Sequence, residues 1–155
     1  PWCWSDESVD EVLMLDFFEH ISYRKNGAIL DEVWRVLKPG GSVVIQVPDL
    51  TQTLDVLKRG FPFVCNRCER EIDTLKHELC PLCNHPWTAM RDQAMSRLYG
   101  GQDYPGNWHY YAFDYGTLCE KLSKHGFGDH EKLEIDHQYR QWSLKVRSTR
   151  MKDAW

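Results

Sequence analysis

The sequence lacks the features of a membrane, secreted or strongly charged protein. It has no apolar run of the roughly 18 to 20 residues that a membrane-spanning helix needs. Its first residues, Pro1 to Asp6, lack the basic-then-apolar order of a signal peptide. The 19 basic and 23 acidic residues are spread along the chain and leave a formal net charge of -4. The balanced charge argues against general electrostatic binding of nucleic acid or anionic lipid. Because a spanning run and a signal peptide are both lacking, we expect a soluble, cytoplasmic protein.

The sequence also has no internal repeat and no low-complexity tract. With 155 residues, 42% of them hydrophobic, the chain can bury one core. Hydrophobic periodicity and turn residues predict, in chain order, a strand over 8–16, a helix over 25–37, a strand over 42–47, helices over 50–58 and 87–99, a helix from an N-cap at Asp114 to Gly126, and strands over 132–135 and 141–146.

The order of these elements predicts an α/β domain. A strand, helix and strand in succession imply a parallel pair, and two closing strands with no helix between them imply an antiparallel hairpin. Ligands of open α/β sheets gather at the carboxyl ends of the strands. Here those ends are 16–20 and 47–49.

Four of the six cysteines form two Cys-x-x-Cys pairs. The pairs are Cys65/Cys68 and Cys80/Cys83. Two such pairs, separated here by eleven residues, are typical of a tetrahedral zinc site. His77 or His85 could replace one sulfur, and disulfides or unbound thiols are the alternative. Because four thiolates leave no position for water, we predict a structural zinc.

The segment around the cysteines is too poor in apolar residues to fold by itself, so we expect zinc binding to stabilise its folded state. Its acidic residues largely cancel its basic ones. We therefore favour a scaffold for a substrate lid over a nucleic-acid-binding ribbon.

Three motifs follow one another in the first 41 residues. They are DESVDEV at 6–12, LDFFEH at 15–20 and RVLKPGG at 35–41. In this order and spacing they resemble the class I S-adenosylmethionine-dependent methyltransferases of the type 11 kind. The segment 113–127, with its Gly-Phe ending, is similar to the last helix of that family. The resemblance covers residues 1 to about 50 and about 109 to 150.

The resemblance implies a partial Rossmann-like methyltransferase sheet. In that family a glycine-rich turn and an acidic residue, each after an early strand, bind most of the cofactor. Neither occurs here, and Gly100-Gly101 follows a predicted helix instead. We therefore expect a C-terminal half, inactive alone, with its core at 1–49 and 109–150. The insertion at 50–108 would contain the zinc ribbon at about 62–86.

The resemblance places candidate site residues in two segments. Asp16, Phe17, Glu19 and His20 would contact S-adenosylmethionine or the acceptor. His20 could act as a general base, because its ordinary pKa lies near working pH. The alternative is that Glu19 and His20 cap the next helix and fill the cleft floor.

The second candidate segment is Trp108, His109 and Tyr110, which precedes the last predicted helix where this fold builds its acceptor pocket. Aromatic side chains with polar tips suit a sugar, a nucleobase or an aromatic acceptor. The alternative is that Trp108 and Tyr111 cover the sheet as core residues while His109 is a satisfied loop residue.

The sequence therefore predicts methyl transfer from S-adenosylmethionine to an oxygen or nitrogen nucleophile. The acceptor, small or macromolecular, is not identified by these motifs; a nucleic acid stays open but is not favoured, and we expect no membrane partner. A non-catalytic, methyltransferase-like zinc-ribbon module that binds protein or nucleic acid is the alternative function.

Overall fold

A computed structural model describes residues 2–59, 63–64, 71–72, 79–84, 90–135 and 142–152. The strands are β1 (Val9–Leu15), β2 (Leu37–Pro48), β3 (Phe63–Val64), β4 (Glu71–Ile72), β5 (Phe127–Lys132) and β6 (Ser143–Arg150). The helices are α1 (Asn26–Val36), α2 (Leu50–Arg59), α3 (Met90–Tyr99) and α4 (Tyr115–Ser123), and Phe18–His20 forms a 3₁₀ turn. No helix in the described part of the chain is long and apolar enough to cross a membrane.

Four strands form one mixed sheet in the order β1-β2-β6-β5. β1 and β2 are parallel, whereas β6 runs antiparallel to both β2 and β5. The predicted parallel pair and the predicted closing hairpin are both confirmed. β3 and β4 form a separate two-stranded antiparallel pair, and α2 packs against α3.

The junction between α1 and β2 differs from the prediction. The sequence predicts a helix over 25–37 and a strand over 42–47, with 38–41 as a connection between them. β2 instead begins at Leu37, which pairs with Val9, and pairing resumes at Ser42 opposite Glu11. The four residues between bulge out of the ladder, with Gly40 at φ 82°. A positive φ is accessible to glycine because it has no Cβ, so the glycine permits a bulge inside the strand.

The last helix begins where the sequence predicted and ends earlier. Asp114 is the N-cap of α4: its Oδ1 accepts a hydrogen bond from the Thr117 N–H at 2.7 Å, and the Thr117 side chain completes a capping box. α4 ends at Ser123, three residues before Gly126, which adopts φ 80° and closes the turn into β5. The predicted N-cap is confirmed, and the predicted helix end is wrong by one turn.

The first closing strand was predicted at 132–135, which is wrong. β5 occupies Phe127–Lys132, and its pairing with β6 starts at Phe127 opposite Arg150. This edge strand buries little beyond Phe127, so its sequence has no alternation of apolar and polar residues. Leu133 and Ile135, two positions apart, have the spacing of a strand but lie outside β5. The second strand, predicted at 141–146, is β6 at Ser143–Arg150.

The hydrophobic core lies on one face of the sheet, which we call the covered face. Its strand residues are Met14, Val43, Ile45, Val47, Leu144 and Val146. Leu30 and Val33 of α1 and Leu118 and Leu122 of α4 pack onto them. Because burial of one such side chain contributes about 1.5 to 3 kcal/mol, this face contains most of the stabilising apolar contacts.

The opposite face, which we call the outer face, is only partly buried. Successive side chains of a strand point to opposite faces, so Leu13 and Leu15 lie here with their partners Val44 and Gln46. Val44 and Gln46 are buried, but Leu13 is 58% and Leu15 45% exposed. No described element therefore covers the outer face at Leu13 and Leu15.

Candidate active site at the carboxyl end of the parallel strands

Asp16 is fixed at the carboxyl end of β1. Its backbone N–H donates to the Gln46 carbonyl at 2.9 Å, and its Oδ1 accepts from Gln46 Nε2 at 3.1 Å. Its φ of 51° turns the chain sharply out of the strand, a conformation that aspartate tolerates better than most residues. Phe17 follows and is about half exposed.

Glu19 is a buried carboxylate in the 3₁₀ turn that follows. It is 2% exposed, and its Oε2 has no hydrogen-bond partner among the described residues. Burial raises the pKa of Glu19 to about 7, and the nearby negative charge of Asp16 acts in the same direction. Glu19 is therefore poised between its charged and neutral forms near neutral pH.

A long loop between α3 and α4 packs onto this turn. The Tyr110 N–H donates to the Glu19 carbonyl at 2.8 Å, and His20 Nδ1 lies 3.0 Å from the Trp108 carbonyl. The His109 N–H donates to the Tyr99 carbonyl at the end of α3, at 3.2 Å. The structure thus brings the two predicted segments, 16–20 and 108–110, into one site.

His20 and His109 face each other in this site. Their ring centroids are 4.7 Å apart at an interplanar angle of 81°. His109 Nδ1 lies 2.7 Å from the Arg97 carbonyl, as His20 Nδ1 lies against that of Trp108. A carbonyl only accepts, so each Nδ1 carries the proton and each Nε2 of a neutral ring keeps its lone pair. Burial lowers the pKa of His109, which favours its neutral form.

Two of the structural alternatives from the sequence are wrong. Trp108 is 48% exposed, so it is not a core residue. The N-cap of α1 is Lys25, with no side-chain cap, so Glu19 and His20 do not cap that helix. The burial of Glu19 does agree with a place on the cleft floor, and His109 is hydrogen-bonded within its loop.

A line of aromatic rings beside the site was missed by sequence reasoning. Tyr23 and Tyr111 stack with centroids 5.3 Å apart, and Tyr111 meets Phe113 edge-on at 4.8 Å. Lys121 Nζ lies 5.3 Å above the Tyr23 ring. No local signal could have found this pairing, because Tyr23 and Tyr111 are brought together only by the docking of the loop.

Asp49, at the end of β2, has a structural role. Its Oδ1 accepts from the Thr51 N–H at 2.9 Å, as the N-cap of α2 would, and its carboxylate also accepts from Gln52 Nε2 at 2.9 Å. Of the two strand ends predicted as ligand sites, the end of β1 therefore presents more of its side chains to a ligand.

The structure describes one of the two predicted cysteine pairs. Cys80 is buried and Cys83 half-buried in a turn, where the Asn84 N–H donates to the Cys80 carbonyl at 2.8 Å. Asn84 adopts φ 50°, which tightens this turn. Such a turn suits a metal-binding knuckle, whereas Cys65 and Cys68 lie outside the described residues. The four-cysteine zinc site stays a prediction.

Comparison with known proteins agrees with the α/β fold. Residues 3–45 match a family model described as a methyltransferase domain. A solved S-adenosylmethionine-dependent methyltransferase from Methanosarcina mazei is 15% identical, and the match covers 97% of this chain and 63% of that one at a TM-score of 0.54. Over the part that it spans, the chain has the fold of class I methyltransferases.

Two further solved structures are similar to the chain in fold. One is described as a possible exported protein from Bordetella parapertussis (14% identity, TM-score 0.55), covering 96% of this chain and 41% of that one. The other is the Burkholderia thailandensis 1,6-didemethyltoxoflavin-N1-methyltransferase with bound S-adenosylhomocysteine (12% identity, TM-score 0.50), covering 95% and 46%. No curated protein sequence matches the chain. The chain thus spans less than two thirds of each of these three structures.

Proposed function

We propose that the chain is the acceptor-side half of an S-adenosylmethionine-dependent methyltransferase that acts on an oxygen or nitrogen nucleophile. One observation carries the proposal: within a fold similar to that of methyltransferases, the segment after β1 and the loop at 108–110 are in contact. His20 Nδ1 lies 3.0 Å from the Trp108 carbonyl, and the Tyr110 N–H donates to the Glu19 carbonyl at 2.8 Å. Such contacts would align an acceptor with the cofactor.

S-adenosylmethionine supplies an electrophilic methyl group when it is bound. The residues of this chain that fit it are Asp16, whose backbone turns at the strand end, and Phe17, whose exposed ring offers an apolar contact. The amides and the ribose-binding carboxylate that hold most of such a cofactor would come from a preceding segment. The isolated chain should therefore bind the cofactor weakly.

His20 is the candidate general base. Its Nδ1 proton is donated to the Trp108 carbonyl, so its Nε2 lone pair is oriented to accept a proton from the acceptor as the new bond to the methyl carbon forms. Trp108 and Tyr110 are 48% and 61% exposed, and they would form the acceptor side of the cleft. Exposed rings of this kind suit a flat or sugar-like acceptor.

The outer face supports the second-half interpretation. Leu13 and Leu15 are neighbouring apolar side chains on one face of β1, and both are largely exposed. A preceding methyltransferase half would bury them by adding strands beside β1 and helices over this face. Burial of exposed apolar area would stabilise the association.

Calorimetry with S-adenosylmethionine tests the proposal. The same chain extended upstream, in frame, to include a glycine-rich strand–turn–helix unit should bind with a micromolar constant, and the 155-residue chain should bind at least tenfold more weakly. Phe17→Ala should weaken binding by the extended chain. Tyr104→Ala, which removes another exposed ring outside the site, is the matched control.

Two results would contradict the proposal. An extended chain that binds no cofactor would favour the non-catalytic module, whereas micromolar binding by the 155-residue chain would defeat the second-half interpretation. Transfer of radiolabel from methyl-labelled cofactor into cell extract, by the extended chain only, would identify the class of acceptor.

The zinc ribbon is proposed as a structural staple for the insertion, with Cys65, Cys68, Cys80 and Cys83 as its ligands. The buried position of Cys80 in a tight turn supports it. Elemental analysis of the wild-type chain and of Cys80→Ser should differ by one zinc per chain. Cys119→Ser, which alters a half-buried cysteine in α4, should leave the zinc content unchanged; equal zinc in all three proteins would exclude the site.

A further inference from the structure

The geometry points to a metal site in the candidate active site: Glu19, His20 and His109 together bind one divalent transition-metal ion. We call these residues the Glu–His–His cluster. One potential ligand atom from each lies within 4.8 Å of the other two, and Glu19 Oε1 lies 4.0 Å from His20 Nε2. Neither the fold nor the four-cysteine prediction accounts for this cluster.

The hydrogen bonds of the two histidines prepare them as ligands. Each ring donates its Nδ1 proton to a backbone carbonyl, His20 to Trp108 and His109 to Arg97. Metal-bound histidines are commonly held by such a bond, which fixes the tautomer and makes the other nitrogen more basic. Both Nε2 lone pairs are thus available, and the near-perpendicular rings, at 81°, can aim them at a common point.

Glu19 supplies the second, independent observation. Its Oε2 is buried and has no hydrogen-bond partner among the described residues. An unpaired buried carboxylate is unfavourable, and a bound cation would satisfy it. The Glu19 carboxylate, whose Oε1 lies 4.0 Å from His20 Nε2, therefore offers a buried oxygen to an ion bound beside it.

The spacing of the cluster is compatible with one bound ion. Two nitrogens bound at the usual Zn–N distance lie about 3.4 Å apart in a tetrahedral site, against the present limit of 4.8 Å. Two imidazoles and one carboxylate suit zinc or manganese rather than calcium or magnesium. Three protein ligands leave at least one position open, and the backbones of Trp108 and Tyr110 contact two of these ligands, His20 and Glu19.

The metal would also define the acceptor, and this step rests on the proposed function. An acceptor hydroxyl bound at the open position would have a lowered pKa and would release its proton to solvent water. Its oxygen would then form the bond to the methyl carbon as the carbon–sulfur bond breaks and the electron pair goes to sulfur. With the metal bound, His20 would act as a ligand instead of a general base. Activation of a hydroxyl by the metal favours an oxygen acceptor.

Manganese is the probe that separates this site from the cysteines, because thiolates prefer softer ions. The unmodified 155-residue chain, free of other metal, is titrated with Mn²⁺ while electron paramagnetic resonance measures the free ion. We expect one bound ion per chain. Glu19→Gln and His109→Gln should each weaken binding at least tenfold.

Two control variants show whether a loss of Mn²⁺ binding is specific to the Glu–His–His cluster. His125→Gln changes a histidine whose Nδ1 is 2.6 Å from Asp31 Oδ1 on α1, and Cys80→Ser changes the predicted zinc knuckle. Both should bind Mn²⁺ like the wild type. Circular dichroism spectra that match the wild type establish that each variant folds.

A measurement on the wild type needs no variant. Pulsed electron paramagnetic resonance of bound Mn²⁺ should show coupling to imidazole nitrogen. A spectrum without nitrogen coupling would overturn the proposal, and so would the absence of bound Mn²⁺. Metal binding is measured without S-adenosylmethionine. Bound Mn²⁺ with no cofactor binding by the extended chain would therefore contradict the proposed function alone.

Discussion

The two faces of the sheet differ in what covers them. On the covered face, α1 and α4 bury Ile45 and Val146 completely. On the outer face, Leu13 and Leu15 lie one residue away from the buried Met14 and are largely exposed. Since the same strand contributes to both faces, the difference reflects the elements packed on each face rather than the strand sequence.

The two faces contribute to different properties: the covered face to the stability of this chain, and the outer face to association with a further segment. On the covered face, the core strand residues are buried in one cluster with residues of α1 and α4. The outer face carries apolar side chains of the same kind without a described element over β1. Truncating a side chain on the covered face should strongly lower the free energy of unfolding. Truncating one on the outer face should lower it only when another segment covers that face.

The largest expected effect is on the covered face. Leu118, in α4, is fully buried against the sheet. Leu118→Ala should lower the free energy of unfolding by about 2 to 5 kcal/mol, because it removes buried methyl groups and leaves a cavity. Urea denaturation measures this change. A loss comparable with that of an exposed leucine would show that α4 is not firmly packed on the sheet.

An intermediate effect is expected at the start of α4. Asp114→Ala removes the acceptor of the Thr117 N–H and should lower the free energy of unfolding by about 1 kcal/mol. The control is Asp55→Ala, at an exposed position within α2, where the change should stay within about 0.5 kcal/mol. Thermal unfolding of both variants tests the contribution of the cap. Equal losses would contradict it.

The smallest effect in the 155-residue chain is expected on the outer face. Leu13→Ala removes a side chain that is 58% exposed and should change the free energy of unfolding by less than about 0.5 kcal/mol. In the upstream-extended chain of the proposed function, the same substitution should be destabilising by about 2 kcal/mol or more. Equal small effects in both chains would show that no preceding half covers this face.

The fold was largely predictable where short-range patterns determine it. Asp114 as an N-cap predicted the start of α4, and the β-branched residues of 42–47 predicted a strand. The position of β5 was not predictable, because an edge strand needs little apolar alternation and only its pairing with β6 defines it. The bulge at 38–41 likewise depends on the register with β1.

The candidate site was predictable in its parts and not in its assembly. Motif resemblance selected 16–20 and 108–110 separately, and no sequence spacing says that His20 and His109 have rings in contact. The unsatisfied Oε2 of Glu19 was also invisible in sequence, because it depends on what lies around the side chain. The roles of these residues, and the fourfold cysteine ligation, stay predictions.

By itself, the sequence determined the strand–helix–strand order, the parallel start and antiparallel close of the sheet, and the cap of α4, because each depends on neighbours a few residues apart. Only the tertiary structure decided which face of β1 is covered and which residues meet at its carboxyl end. The reason is physical: burial and contact between distant segments depend on how helices and loops pack across the sheet, and packing of that kind leaves no local pattern.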